Sequence, residues 1–251
     1  MNSDRELAML KQKIALVTGG NKGIGLETAR QLGKLGMIVW IGSRDHQRGI
    51  EAANVLRKED INAEAVQLDV TDQSSIDAAV GLVGKVQNRL DILINNAGVL
   101  DYANDGGIEK TSLETLHSVF AINFFGTVAV TKSFLPLLRR SSAGRIVNLT
   151  SILGSIAEHS DHNSPIYQSK FLAYDSSKAA VNMFTNHLAH ELRNTSIKVN
   201  AAHPGWVKTD MGGPEAPMEI TDGAKTSVML ATLAESGPTG GYYHLGVHMR
   251  W

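Results

Sequence analysis

The 251-residue sequence contains no cysteine, which excludes disulfides, thiolate chemistry and Cys-ligated zinc or iron–sulfur sites. An excess of either charge is also missing. The 24 basic and 25 acidic side chains leave a formal net charge of −1, so no nucleic-acid partner is expected. No apolar run approaches the roughly 18 residues of a bilayer span, so no membrane partner is expected either. Residues 1–13 carry charges throughout and lack the uninterrupted apolar segment of a secretory signal, which makes a reducing cytoplasm the default location. No Pro/Ser-rich linker or shift in composition divides the chain. One domain over 1–251 is expected, with 1–12 as an N-terminal arm.

What is present is an alternation. The apolar run at 14–17 stops at Thr18-Gly19-Gly20, and apolar residues at helical spacing follow at Ile24, Ala29, Leu32 and Leu35. Further strands are predicted at 37–41, 65–68, 92–94, 145–149 and 197–201, and near Tyr242. The helices between them include Ala53 to Leu56, Ile76 to Val83, two segments between Leu113 and Leu138, 179–192 and 226–233. Continuous apolar strands alternating with helices predict an α/β domain, a doubly wound parallel sheet of Rossmann type. Ligands of such sheets bind beyond the carboxyl ends of the strands. The unusual residues collect there: Thr18-Gly19, Arg44, Asp69, Asn95 to Gly98, Ser151 and Pro204-Gly205.

Thr18-Gly19-Gly20-Asn21-Lys22-Gly23-Ile24-Gly25 follows a strand and opens a helix, so backbone N–H groups can face a pyrophosphate that the missing side chains let approach. A phosphate-loop NTPase would need Gly-x-x-x-x-Gly-Lys-Ser/Thr, and neither Gly23 nor Gly25 is followed by Lys. The second strand ends in Gly42-Ser43-Arg44-Asp45. Asp45 is either a ribose-binding acid or the N-cap of the next helix. Arg44 is either a solvated charge or, with Lys22, a cation for a 2′-phosphate.

The spacing Gly-x-x-x-Gly-x-Gly after Thr18, then Asn95-Asn96-Ala97-Gly98, Asn123 in Asn-x-x-Gly, Ser151, Tyr174-x-x-x-Lys178 and Pro204-Gly205 occur in order at successive strand ends. Together they resemble the single-domain, carbonyl-reductase-like type of the short-chain dehydrogenase/reductase family. The resemblance implies NADP(H) as cofactor, with Arg44 and Lys22 at its 2′-phosphate. The implied cofactor-binding residues also include Gly19, Asn21, Gly23, Ile24, Gly25, Asn96, Ala97, Gly98, Pro204 and Gly205. Asp69 and the backbone of Val70 would meet the adenine, Lys178 and Tyr174 the nicotinamide ribose, and Val207 and Thr209 the carboxamide.

Tyr174 and Lys178 are four apart, so on a helix they share a face, where the ammonium would draw the phenol's pKa down toward the working range of an acid or base. The implied catalytic group is Tyr174 as proton donor, Ser151 on the substrate oxygen, Lys178, and Asn123 holding a water that links Lys178 to solvent. The family's usual Tyr-x-Ala-Ser-Lys reads Tyr174-Asp175-Ser176-Ser177-Lys178, so Ser176, a small polar residue, stands where the family usually has alanine, and the chemistry is expected to survive. The gap between Ser151 and Tyr174 is longer than is typical, and the extra residues, 158–167, together with a lid over 205–220, should form the substrate wall. His159, Asp161 and His162 are read as solvated loop residues, with no metal expected.

The activity expected is NADPH-dependent reduction of a ketone or aldehyde to an alcohol, so the partner is a small-molecule carbonyl or alcohol. The alternatives are 3-oxoacyl-carrier-protein or 3-oxoacyl-CoA reduction and a non-catalytic, NADP-binding redox sensor. A homo-oligomer, tetramer or dimer, is implied through helices over 123–138 and 179–192, where Val181, Met183, Phe184 and Leu188 exceed what one face buries.

Overall fold

Each apolar run becomes a strand covered on both faces. In the computed structural model, which describes residues 12–251, β1 (Ile14–Thr18), β2 (Ile38–Ser43), β3 (Ala63–Gln67), β4 (Ile92–Asn95), β5 (Arg145–Leu149), β6 (Lys198–Ala202) and β7 (Tyr242–His244) pair in parallel. The strand order is β3-β2-β1-β4-β5-β6-β7-β8. The crossover between β3 and β4 opens the crevice of a doubly wound sheet. β8 (Val247–His248) is antiparallel to β7, an edge that the expectation of a purely parallel sheet did not include. The two-residue hairpin at Leu245-Gly246 makes it, both residues having positive φ, 46° and 85°. The expected arm at 1–12 lies, except for Gln12, outside the described residues.

The period of two along the strands sorts the core into two layers. Leu16, Leu93, Ile146 and Val199 face α3 (Gln73–Gln87), α5 (Thr127–Leu138) and α7 (Leu172–Glu191). Val17, Ile94, Val147 and Ala202 face α1 (Gly23–Lys34), α2 (His46–Arg57) and α8 (Ile220–Ala231).

The two helical segments expected before β5 are one run. α4 (Leu113–Phe120) passes through a π-helical turn, Ala121–Gly126, into α5. At 26 residues, with an 18-residue stretch of mean hydropathy 1.4, this run has the length and composition of a bilayer span, which a search for uninterrupted apolar runs did not reveal. Val130, Phe134, Leu137 and Leu138 pack in the core layer with Leu93 and Ile146, and Val119 is buried as well. A short α6 (Ile156–Ser160) follows β5, and α7 begins at Leu172, seven residues before the predicted start, so that it carries both Tyr174 and Lys178.

Candidate active site

The glycine turn is held from the neighbouring strand. Asn96 Nδ2 donates to the Thr18 and Gly19 carbonyls at 2.8 and 3.1 Å, while Thr18 Oγ1 accepts from the N–H groups of Asn96 and Ala97 at 2.9 and 3.0 Å. A side chain at Gly25 would overlap the Asn96 amide, so this contact requires glycine. Asn96 thus serves the turn itself, with its amide committed to protein carbonyls. Asn21 and Ile24 are half-buried in the turn, and Lys22 is the N-cap of α1 with no side-chain cap of its own. The first N–H groups of α1 therefore lack side-chain acceptors where a pyrophosphate would lie, an arrangement that fits a dinucleotide.

At the end of β2, Asp45 accepts from Arg48 N at 3.2 Å and caps α2, which settles its structural reading and leaves Arg44 exposed beside it. Lys22 Nζ lies 2.6 Å from Asp210 Oδ2, in the segment after β6. Asp69 Oδ1 accepts from Thr71 N and Oγ1 at 2.9 and 2.7 Å, and Val70 is buried at the foot of the π turn.

Beyond β5 and β6 the site changes character. Tyr174 and Lys178 are 8% and 4% exposed, and Ser151 is buried with its hydroxyl accepting from Leu153 N. Lys178 Nζ donates to the Leu149 carbonyl at 2.9 Å and sits 5.6 Å from the Tyr174 ring centroid. Gly98 admits both partners: a Cβ there would crowd Asn123 Oδ1 at 3.3 Å and Lys178 Nζ at 3.4 Å.

Asn123 lies in the π turn. Its Oδ1 accepts from Val99 N at 2.8 Å, and its Nδ2 donates to Val99 O and Ser177 Oγ at 2.9 and 3.0 Å. The side chain thus braces β4's end to α7, and all three of its contacts are protein groups.

Burial outweighs the ammonium in setting the phenol. It pushes Tyr174 well above the usual tyrosine range, although the Ser151 hydroxyl opposes the rise, so the expected lowering by Lys178 is not what these residues alone produce. Burial also draws Lys178 down to about 8.

Several residues of this half escaped sequence reasoning. His203 is buried before Pro204, and its Nδ1 accepts from Ile152 N and Gly205 N, both at 3.3 Å, which joins the segments carrying Ser151 and Gly205. Burial, then His244, lowers its pKa to about 3, keeping the ring neutral and Nδ1 free to accept. Asp105 caps α7 from the loop after β4. Asp175, at the unrestricted position of the Tyr-x-Ala-Ser-Lys pattern, accepts from Phe171 N at 2.9 Å and lies 3.3 Å from His159 Nε2, so the extra segment is tied to the helix of Tyr174. Arg250 pairs with Glu158 and Asp161, and the Trp251 carbonyl accepts from Ala157 N, so the chain's last residues hold the same segment from the other side. His203 beside Pro-Gly was the one visible signal; the others join residues far apart in sequence.

Residues 205–219 form turns and one bridge, Val207 to Met218, with no helix. Pro204 and Val207 are buried, Gly205 is half-buried, and Thr209 Oγ1 accepts from Gly212 N at 3.0 Å. Of the apolar set expected at a subunit contact, Val181 and Leu188 belong to the core, Phe184 is half-buried, and Met183 is 60% exposed. Phe125 joins Met183 among the exposed apolar residues at 61%.

A nucleotide cradle beside a buried Ser-Tyr-Lys group defines a nicotinamide-dependent oxidoreductase. The family model described as short chain dehydrogenase matches residues 13–220, and the chain belongs to that family, of the carbonyl-reductase-like kind. It is 31% identical to (+)-neomenthol dehydrogenase of Capsicum annuum, over 92% of this chain and 95% of that protein. The structure of NADPH-bound carbonyl reductase from chicken fatty liver is similar at a TM-score of 0.84 and 31% identity, covering 96% of this chain and 100% of that one. Salutaridine reductase from Papaver somniferum gives 0.80 at 28% identity, covering 92% and 99%.

Proposed function

We propose that this chain is an NADPH-dependent reductase of ketones or aldehydes, reversible as an alcohol dehydrogenase. The observation that carries the reading is the burial of Ser151, Tyr174 and Lys178 together at the carboxyl ends of the central strands. When bound, the reduced nicotinamide supplies hydride to the carbonyl carbon. Tyr174 gives its phenolic proton to the oxygen, and the Ser151 hydroxyl donates to that oxygen as negative charge develops. Lys178 favours the phenolate left behind and holds the ribose hydroxyls. Asn123 keeps the backbone near Lys178 in place and, as the resemblance implies, holds a water that links Lys178 to solvent.

NADPH over NADH is supported by Arg44, exposed and unclaimed by Asp45, and by Lys22 in the glycine turn. The reductases with NADPH-bound or related folds among the similar structures support the same choice. The reading takes 1–251 as one domain, 205–220 as a ligand-responsive lid and 158–167 as a second substrate wall. It also takes the chain as a cytoplasmic homo-oligomer, a tetramer meeting through the helices over 123–138 and 179–192, where Phe125 and Met183 are exposed. Nucleotide consumption followed by nicotinamide absorbance over a panel of ketones tests the activity. Consumption of NADPH with alcohol formed supports it, and no turnover with any carbonyl, despite tight NADPH binding, would favour the redox-sensor alternative. Light scattering tests the oligomer, which a monomer mass would refute.

A further inference from the structure

Tyr174 is the third residue of α7, and the N-cap side chain of that helix offers its first N–H groups no acceptor, because the N-cap position is Phe171, which has no side-chain oxygen. The first N–H groups of a helix need acceptors, and here they are found 68 residues earlier in the chain. Asp105, 1% exposed, lies in the loop after β4. Its Oδ2 accepts from the N–H of Tyr174 itself at 2.9 Å. Its Oδ1 accepts from Ala173 N at 3.0 Å, Gly106 N at 2.9 Å and Thr111 Oγ1 at 3.0 Å. The next carbonyl, Gly106 O, accepts from Leu172 N at 2.9 Å. Three consecutive N–H groups of the first turn thus end on Asp105-Gly106.

The same loop begins at Gly98 and Val99, which touch Lys178 and Asn123. One loop therefore fixes the backbone of Tyr174 at one end and the surroundings of Lys178 at the other. A local N-cap would tie Tyr174 only to its own helix. A cap from the β4 loop ties it to the sheet that presents the cofactor, so the carboxylate fixes where the phenol stands relative to the hydride donor.

We propose that Asp105 is a positioning residue for Tyr174, setting its backbone against the β4 frame. This rests on the reading of Tyr174 as proton donor. In Asp105→Asn, whichever way the amide turns, an NH2 group meets N–H or O–H groups that had an acceptor: Tyr174 N on one side, or Ala173 N, Gly106 N and Thr111 on the other. The volume is unchanged, so the loss is one of alignment. Because a shift of about 1 Å in a reacting group costs about a hundredfold in rate, kcat should fall between roughly tenfold and a hundredfold.

The experiment compares kcat, the NADPH dissociation constant and the unfolding temperature for the parent, Asp105→Asn and Tyr174→Phe, together with Asp105→Ala/Phe171→Asp. The last chain returns a carboxylate to α7 from its own N-cap. The expected result is the stated fall in kcat for Asp105→Asn with NADPH binding within about twofold of the parent, while Asp105→Ala/Phe171→Asp unfolds near the parental temperature and yet keeps a low kcat, because a local cap does not tie Tyr174 to the β4 frame. A purely structural role would lower the unfolding temperature and leave kcat of the folded enzyme alone. Parental kcat in Asp105→Asn overturns the inference, as does an equal loss of NADPH affinity. If Asp105→Asn does not fold, or if Asp105→Ala/Phe171→Asp has parental kcat, Asp105 serves folding or capping alone and the inference also fails. Failure of the underlying reading is seen separately, as near-parental turnover in Tyr174→Phe.

Discussion

The two ends of the central sheet's ligand crevice are built on opposite principles. Around β1, β2 and β3 the chain offers backbone N–H groups, glycines and exposed cations such as Arg44 and Lys22. Around β5 and β6 it buries a tyrosine, a lysine, a serine and a neutral histidine among tight hydrogen bonds. Exposed charges recognise a phosphate at little cost to the fold, because water solvates them when the ligand is away. Buried titratable groups have shifted pKa values and unforgiving geometry, which suits proton transfer. Recognition and chemistry should accordingly be separable by mutation.

The largest effect is expected where the two halves meet. Lys178→Ala removes the ammonium near the phenol and a ribose contact together, so kcat should fall by roughly a thousandfold or more while KM for NADPH rises. Steady-state kinetics at saturating ketone check both, and a change in only one would confine Lys178 to one half. Tyr174→Phe should cost roughly a thousandfold in kcat as well, with the NADPH dissociation constant nearly unchanged, because the ring stays and only the transferable proton goes.

Arg44→Asp acts on the other half. Exchanging a cation for an anion at the 2′-phosphate should lower kcat/KM with NADPH by about tenfold to a hundredfold and spare NADH. Equal efficiency of the parent with both nucleotides would remove the basis for this role.

A subtler effect belongs to Asp175. Burial, more than Asp105 nearby, raises its carboxyl to about 7. A group whose folded value lies above the unfolded 3.8 adds stability that is full below 3.8 and lost as pH rises through about 7. The unfolding temperature of the parent minus that of Asp175→Asn should therefore be smaller at pH 8 than at pH 5. A difference independent of pH would show that the carboxyl titrates normally. The smallest effect is expected from Asp210→Asn. Lys22 and Asp210 are 65% and 81% exposed, so freeing Lys22 should tighten NADPH by less than about threefold.

The contrast also explains what could be read from sequence. The alternation of strand-like and helical segments placed all seven parallel strands; the central β1 and β4 are buried along their whole length, whereas the edge strand β3 carries Glu64 and Gln67. The glycine turn was visible because close backbone approach demands glycine at fixed offsets, as Gly25 against Asn96 shows. Tyr174 and Lys178 were visible through helical spacing. The devices that hold them were not, since Asp105 to Tyr174, His203 to Ile152, and Arg250 to Glu158 are contacts between segments that only the folded sheet brings together. Helix starts were also misplaced: α7 begins among Phe171 and Leu172, where its caps come from Asp105 and Asp175 rather than from a Ser, Thr or Asn just upstream. The direction of the Tyr174 shift was missed for a related reason, because burial depends on everything packed around the ring.

The separation of recognition from chemistry is tested most directly by measuring NADPH affinity and single-turnover ketone reduction side by side in the parent, Arg44→Asp and Tyr174→Phe. Arg44→Asp should lose affinity while keeping most of its rate at saturating NADPH, and Tyr174→Phe should lose its rate while keeping affinity. Two variants that each lose both quantities in similar measure would contradict the account.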